Sequence, residues 1–78
     1  MLTKELILER IRIAIGDANV TDQSTRENTD NWDSLGQIEI LITLSKLTNG
    51  ASDLVQGIDD FSSISELFEL LSAEALIE

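Results

Sequence analysis

Residues 31–47 read NWDSLGQIEILITLSKL, and this stretch decides the fold. On a helical wheel with 3.6 residues per turn, its apolar side chains cover most directions. The narrow polar stripe that remains consists of Gly36, Glu39, Thr43 and Lys46. A helix that is apolar on most sides is one around which other elements pack. We therefore expect a central helix from Ser34 to about Thr48, ended by Asn49-Gly50.

Two further helices are predicted on either side of it. The first has Thr3 as its N-cap, runs to Ile15 and stops at Gly16. Its apolar stripe is Ile7, Leu8, Ile11, Ala14 and Ile15. The last begins at Ser63, which forms a capping box with Glu66, and should run to about Ile77. Its stripe is Ile64, Leu67, Phe68, Leu71 and Ala75.

The segments between these helices complete the predicted fold. Residues 16–33 are polar and look like an unusually long loop, in which Trp32 is expected to pack onto the bundle rather than contact a substrate. Within residues 52–60, Asp53 as N-cap and Gln56 predict a short helical turn. The sequence thus predicts an all-α, four-helix bundle with a long first loop and a short third helix. We expect residues 1–78 to form a single domain.

Composition excludes several function classes. The chain has no Cys and no His, which removes disulfides, thiol nucleophiles, imidazole chemistry and the usual zinc sites. Its formal net charge of -10 argues against nucleic acid and anionic membranes and favours partners with basic surfaces. No signal peptide or membrane span is evident, so we expect a cytoplasmic monomer.

The acidic first loop does not match a calcium-binding loop. A reading that starts at Asp17 places Asp22 where the sharp turn needs glycine, and Asn28 where a bidentate glutamate is required. A reading that starts at Asn28 puts Trp32 at a ligand position. We therefore predict no metal site.

Ser34 is the candidate functional residue. The simplest reading is that Ser34 and Gln37 form a capping box, with Asp33 favourable at the positive end of the helix dipole. Catalysis by Ser34 is poorly supported, because the chain has no His and Lys46 is about three turns away. A phosphate ester suits the position better, since free N–H groups and the dipole at a helix start stabilise an anion.

The motif at residues 33–39, Asp-Ser-Leu-Gly-Gln-Ile-Glu, resembles the prosthetic-group site of acyl carrier proteins. The resemblance covers essentially the whole chain, because it includes the helix order, the long loop and the acidity. Asp-Ser-Leu alone is a weak tripeptide. Its combination with the length and the missing Cys and His makes the resemblance specific.

The resemblance implies a carrier that is not an enzyme. Ser34 would receive 4'-phosphopantetheine from coenzyme A through a phosphopantetheinyl transferase that uses magnesium, and the thiol of this arm would hold acyl groups as thioesters. Asp33 would assist the transferase, and Leu35 and Glu39 would contact acyl-loading and acyl-transferring enzymes. The implied acyl-pocket residues are Ile38, Ile42, Ile58 and Ile64.

The chain departs from the usual fatty-acid-synthesis carrier in its charges. Glu39 is the only acidic residue on the second helix, and Ser45-Lys46 and residues 49–51 replace the acidic runs common in that family. This favours a specialised carrier in a dedicated lipid or polyketide pathway. Two alternatives stay open: an aminoacyl or peptidyl carrier, and an unmodified acidic helical module that binds other proteins.

Overall fold

Three α-helices and two short 3-10 helices form the framework of this chain. The computed structural model describes residues 2–77. Helix α1 spans Lys4–Ile15, α2 spans Ser34–Leu47 and α3 spans Ile64–Ala73, with the 3-10 helices at Ala51–Leu54 and Ile58–Asp60. The predicted helical class is confirmed, whereas the described residues contain three α-helices rather than four.

Helix α1 has the predicted ends and the predicted buried face. The Thr3 hydroxyl accepts a hydrogen bond from the Leu6 N–H. Gly16 has a left-handed backbone with φ of 66°, and its N–H donates to the carbonyl groups of the last turn. Most of the predicted stripe is buried, and Ala14 packs against the core. Local capping signals therefore suffice to define this helix.

Helix α3 begins as predicted and ends earlier. The Ser63 hydroxyl accepts from the Glu66 N–H, and a Glu66 carboxylate oxygen accepts from the Ser62 N–H. The expected end near Ile77 is wrong, because the helix stops at Ala73. Ala75 has a positive φ of 56°, and the Leu76 N–H donates a hydrogen bond to the Leu71 carbonyl. This turn buries Ile77 in the core, which an extended helix would not do.

The short third helix is replaced by two 3-10 turns. Val55 has an extended backbone after the first turn, and Gly57 has φ of 87° before the second. Neither conformation is helical, so a continuous helix cannot cross residues 55–57. The turns nevertheless bury Ser52, Val55 and Ile58 against the core.

Helix α2 packs on one side only, which corrects the expectation of a helix enclosed on most sides. Ile40 and Leu44 are fully buried in the core. Leu35, Ile38 and Ile42 are instead 66%, 52% and 46% exposed. The apolar residues that the sequence assigned to a surrounding core thus form a solvent-facing apolar surface, which we call the α2 outer face.

The long first loop is hydrogen-bonded to α1 on one side and to α3 on the other. Asn31 donates from its side chain to the Ile15 carbonyl, and the Arg12 Nε–H donates to the Val20 carbonyl. Near the other side, the Ile64 N–H donates to the Ser24 carbonyl. Val20 and Trp32 are buried, so the prediction that Trp32 packs onto the bundle is confirmed. The loop has defined contacts, and these position the residues before α2.

Candidate functional site

Ser34 is the first residue of α2, and its side chain lies at the exposed surface. The expected Ser34–Gln37 capping box is wrong. Asp33 is the N-cap, with an extended backbone, and its Oδ1 accepts from the Gly36 N–H at 2.8 Å. Asp and Ser have similar preferences for the N-cap position, and in this helix the cap is Asp33 and not the adjacent Ser34. The Ser34 hydroxyl is consequently not used to cap the helix.

Gln37 anchors the approach to Ser34 instead of closing a capping box. Its Oε1 accepts from the Trp32 Nε1–H at 2.6 Å in a buried setting. The Trp32 ring lies 5.8 Å from the Phe61 ring, centroid to centroid and tilted, a favourable aromatic geometry. Gln37 Nε2 has no hydrogen-bond partner among the described residues, so this amide is only half satisfied. Trp32 is therefore held by packing and by one hydrogen bond, two residues before Ser34.

Gly36 permits a close approach of the loop to α2. A Cβ placed on Gly36 would overlap the Asn31 carbonyl oxygen and lie 3.3 Å from the Asn31 carbonyl carbon. The same Asn31 side chain donates to the Ile15 carbonyl at the end of α1 at 3.0 Å. The sequence placed Gly36 on an exposed polar stripe, whereas it is buried. Its small size permits the junction of α1, the loop and α2, two residues after Ser34.

Arg26 lies beside Ser34, and sequence reasoning did not single it out. The Arg26 Nη2 donates to Ser34 Oγ at 3.3 Å. Its backbone N–H donates to the Ser62 carbonyl at 2.8 Å, next to the isolated bridge between Thr25 and Ser63. One signal was available, because Arg26 is the sole basic residue within residues 16–33. The distance that makes it relevant to Ser34 depends on tertiary contacts.

The three predicted partner-recognition residues lie together. Asp33, Leu35 and Glu39 line one shallow groove beside Ala14 of α1. All three are exposed, and Leu35 is also part of the α2 outer face. The groove therefore combines an apolar side chain with two carboxylates next to Ser34.

The four acyl-pocket candidates do not share one environment. Ile58 and Ile64 are core residues, 5% and 0% exposed. Ile38 and Ile42 belong to the α2 outer face. The structure thus divides the set between the interior and the surface.

The surroundings of Ser34 favour binding of an anion over nucleophilic catalysis. A serine hydroxyl needs a base to become a nucleophile. The side chain that contacts it is a guanidinium, which stays protonated in proteins and has no acceptor atom. Such a group cannot take the hydroxyl proton, but it can donate to phosphate oxygens.

No group of three or more His, Cys, Asp or Glu side chains in residues 2–77 could hold a metal ion. In the same part of the chain, no helix has the length and apolar character needed to cross a membrane. No protein-family model matches the chain, and no curated protein or solved structure shows significant similarity to it.

Proposed function

We propose that this protein is a carrier that holds acyl intermediates on a 4'-phosphopantetheine arm attached to Ser34. The observation that carries the proposal is the placement of Ser34. Its hydroxyl is exposed and does not cap the helix, and the residue is the first of the helix α2. A modifying enzyme can reach such a hydroxyl. An acyl-carrier-like fold is part of the proposal, with the two 3-10 turns in the place of the short third helix.

The residues around Ser34 fit a phosphate ester. The guanidinium of Arg26 is a hydrogen-bond donor at 3.3 Å from Ser34 Oγ, and the first turn of α2 contributes its positive dipole end. In the attachment step, Ser34 Oγ bonds to the pantetheine-side phosphorus of coenzyme A, and the bond between the two phosphates breaks. Adenosine bisphosphate leaves, and the hydroxyl proton passes to a base of the transferase. The bound arm supplies a thiol that carries acyl groups as thioesters.

The chain's own residues present the arm and the surface around it. Asp33 fixes the start of α2 through its hydrogen bond to Gly36, and this holds the backbone of Ser34 in one orientation. Leu35 and Glu39 are exposed and line the groove, where partner enzymes would dock. Ile38 and Ile42 extend this docking surface, whereas Ile58 and Ile64 belong to the buried core. Partners with basic surfaces suit the net charge of -10.

Incubation with coenzyme A, magnesium and a broad-specificity phosphopantetheinyl transferase tests the proposal. The intact mass should increase by one phosphopantetheine group, and Ser34→Ala should abolish the increase. An unchanged mass with several such transferases would contradict the carrier function. The cargo, whether a fatty acyl, polyketide, hydroxy acid, aminoacyl or peptidyl group, is identified by measuring the mass of the thioester on protein isolated from its native cell.

One observation also favours an unmodified protein-interaction module. The α2 outer face exposes three large apolar side chains on one helix, and such surfaces commonly bind proteins. If this module were the whole function, Ser34→Ala would keep partner binding and cellular function. A carrier loses all function with the same change, so the one variant separates the two proposals.

A further inference from the structure

We propose that Arg26 is the ligand for the phosphate group attached to Ser34, and that it ties the modified serine to the first loop and to the start of α3. This inference rests on the proposed modification of Ser34. The contact that carries it is the hydrogen bond from Arg26 Nη2 to Ser34 Oγ at 3.3 Å. An ester formed at Ser34 Oγ places its non-bridging phosphate oxygens two bonds beyond Oγ, within reach of the same guanidinium.

The backbone of Arg26 is fixed independently of its side chain. Its N–H donates to the Ser62 carbonyl, and the preceding residue pairs with Ser63 at the N-cap of α3. These backbone contacts fix the position from which the Arg26 side chain extends toward Ser34. Arg26 therefore connects the start of α3 to the start of α2 through a single side chain.

The negative charge around Ser34 gives a physical reason for a contact between Arg26 and the attached phosphate. The first loop carries Asp17, Asp22, Glu27, Asp30 and, directly before Ser34, Asp33, and the chain as a whole has a net charge of -10. Another anion on Ser34 would meet this negative field, and like charges disfavour one another at short range. Arg26, the one cation within residues 16–33, stands at the position that offsets the added charge. Its planar fork suits phosphate oxygens better than an ammonium does.

A full chain synthesised with phosphoserine at position 34 tests the inference without any transferase. The probe is the second ionisation of the phosphate, with an ordinary pKa near 6, followed by phosphorus NMR as a function of pH. A nearby cation favours the dianion and lowers this pKa. Arg26→Gln should therefore raise it by about half a unit or more, and Arg26→Lys should raise it by less, because the point charge is kept.

Arg10→Gln is the matched control, because it removes the same charge from an exposed position. Arg10 shares a groove with Thr43 and Lys46, and Thr43 lies roughly 13 Å along α2 from Ser34 at 1.5 Å per residue. That distance exceeds the screening length at 0.15 M salt, so this change should leave the phosphate pKa within about 0.2 units of the unsubstituted chain.

Equal phosphate pKa values in the Arg26→Gln and Arg10→Gln chains would overturn the inference. A larger value in Arg26→Gln, with near-native helix content by circular dichroism, supports it. Because phosphoserine is installed by synthesis, this result is independent of whether coenzyme A is the natural donor. Failure of enzymatic loading would instead count against the proposed function alone.

Discussion

Replacing Gly36 by alanine sets two physical effects against each other. In an exposed helix interior, Gly→Ala stabilises by about 1 kcal/mol through helix propensity. Here the added Cβ would overlap the Asn31 carbonyl oxygen, a backbone atom that cannot rotate away. Overpacking in a well-packed site costs typically about 1–3 kcal/mol, and a rigid backbone neighbour places this case in the upper part of that range. The net expectation is a loss of about 1–2 kcal/mol.

The substitution should also weaken the junction of α1, the loop and α2. A displaced Asn31 weakens its hydrogen bond to the Ile15 carbonyl, which joins the loop to α1. Urea unfolding followed by far-UV circular dichroism measures the free energy of unfolding. A loss of 1 kcal/mol corresponds to roughly 4–8 °C in Tm for a domain of this size.

Thr43→Ala is the matched control for Gly36→Ala. It also improves helix propensity within α2, but it removes atoms from a partly exposed position instead of adding one to a buried contact. We expect Thr43→Ala to be neutral or slightly stabilising. A Gly36→Ala protein that is more stable than the unsubstituted chain by about 1 kcal/mol would refute the close approach of Asn31, because propensity alone would then explain the result.

Three further predictions concern the approach to Ser34 and the charge of the chain. Asp33→Ala should reduce the free energy of unfolding by about 1 kcal/mol, and Asp33→Asn should reduce it by clearly less, because asparagine keeps a hydrogen-bond acceptor for the cap. Equal losses in urea titrations would mean that Asp33 does not cap the helix. Trp32→Phe should reduce the free energy of unfolding by about 2 kcal/mol, because it leaves the Gln37 amide unpaired, and Gln37→Met should reduce it by about 1 kcal/mol. A double-mutant cycle should give a coupling energy near 1 kcal/mol between the two residues, and additive losses would argue against their hydrogen bond. Sodium chloride up to moderate concentration should raise Tm by screening the net charge of -10, and a flat calorimetric profile would mean that the acidic groups are already well dispersed.

Helix starts were predictable where one polar residue had a capping role without competition. Thr3 and Ser63 cap their helices through their own side chains, as the sequence indicated. At α2 two adjacent residues, Asp33 and Ser34, were both suitable caps, and local pattern could not choose between them. The difference matters because it leaves the Ser34 hydroxyl available.

Helix ends and exposed faces depended on tertiary contacts. No glycine marks the end of α3, where Ala75 takes the left-handed conformation so that Leu76 and Ile77 can turn back toward the core. The sequence likewise counted Ile38 and Ile42 as enclosed, because a chain this short has too few elements to cover every side of α2 and hydropathy does not say which side is left open.

The candidate site was predictable in part. Ser34 and its exposed neighbours Leu35 and Glu39 were named from the motif, and the structure places the two neighbours along one groove. Arg26 and Gly36 act through contacts with residues five to eight positions away across a loop, for which no periodic pattern exists. The acyl-pocket role that the resemblance implies for Ile58 and Ile64 would require the core to open, because both are buried.

Covalent loading of Ser34 tests the central proposal most directly. The protein, its Ser34→Ala variant and its Ser65→Ala variant are incubated with coenzyme A, magnesium and a broad-specificity transferase, and intact masses are compared. Ser65 is the matched control, because it is an exposed serine in the first turn of α3. We predict one added phosphopantetheine on the unsubstituted and Ser65→Ala proteins and none on Ser34→Ala. No addition to any of the three, or addition that persists in Ser34→Ala, would contradict the account.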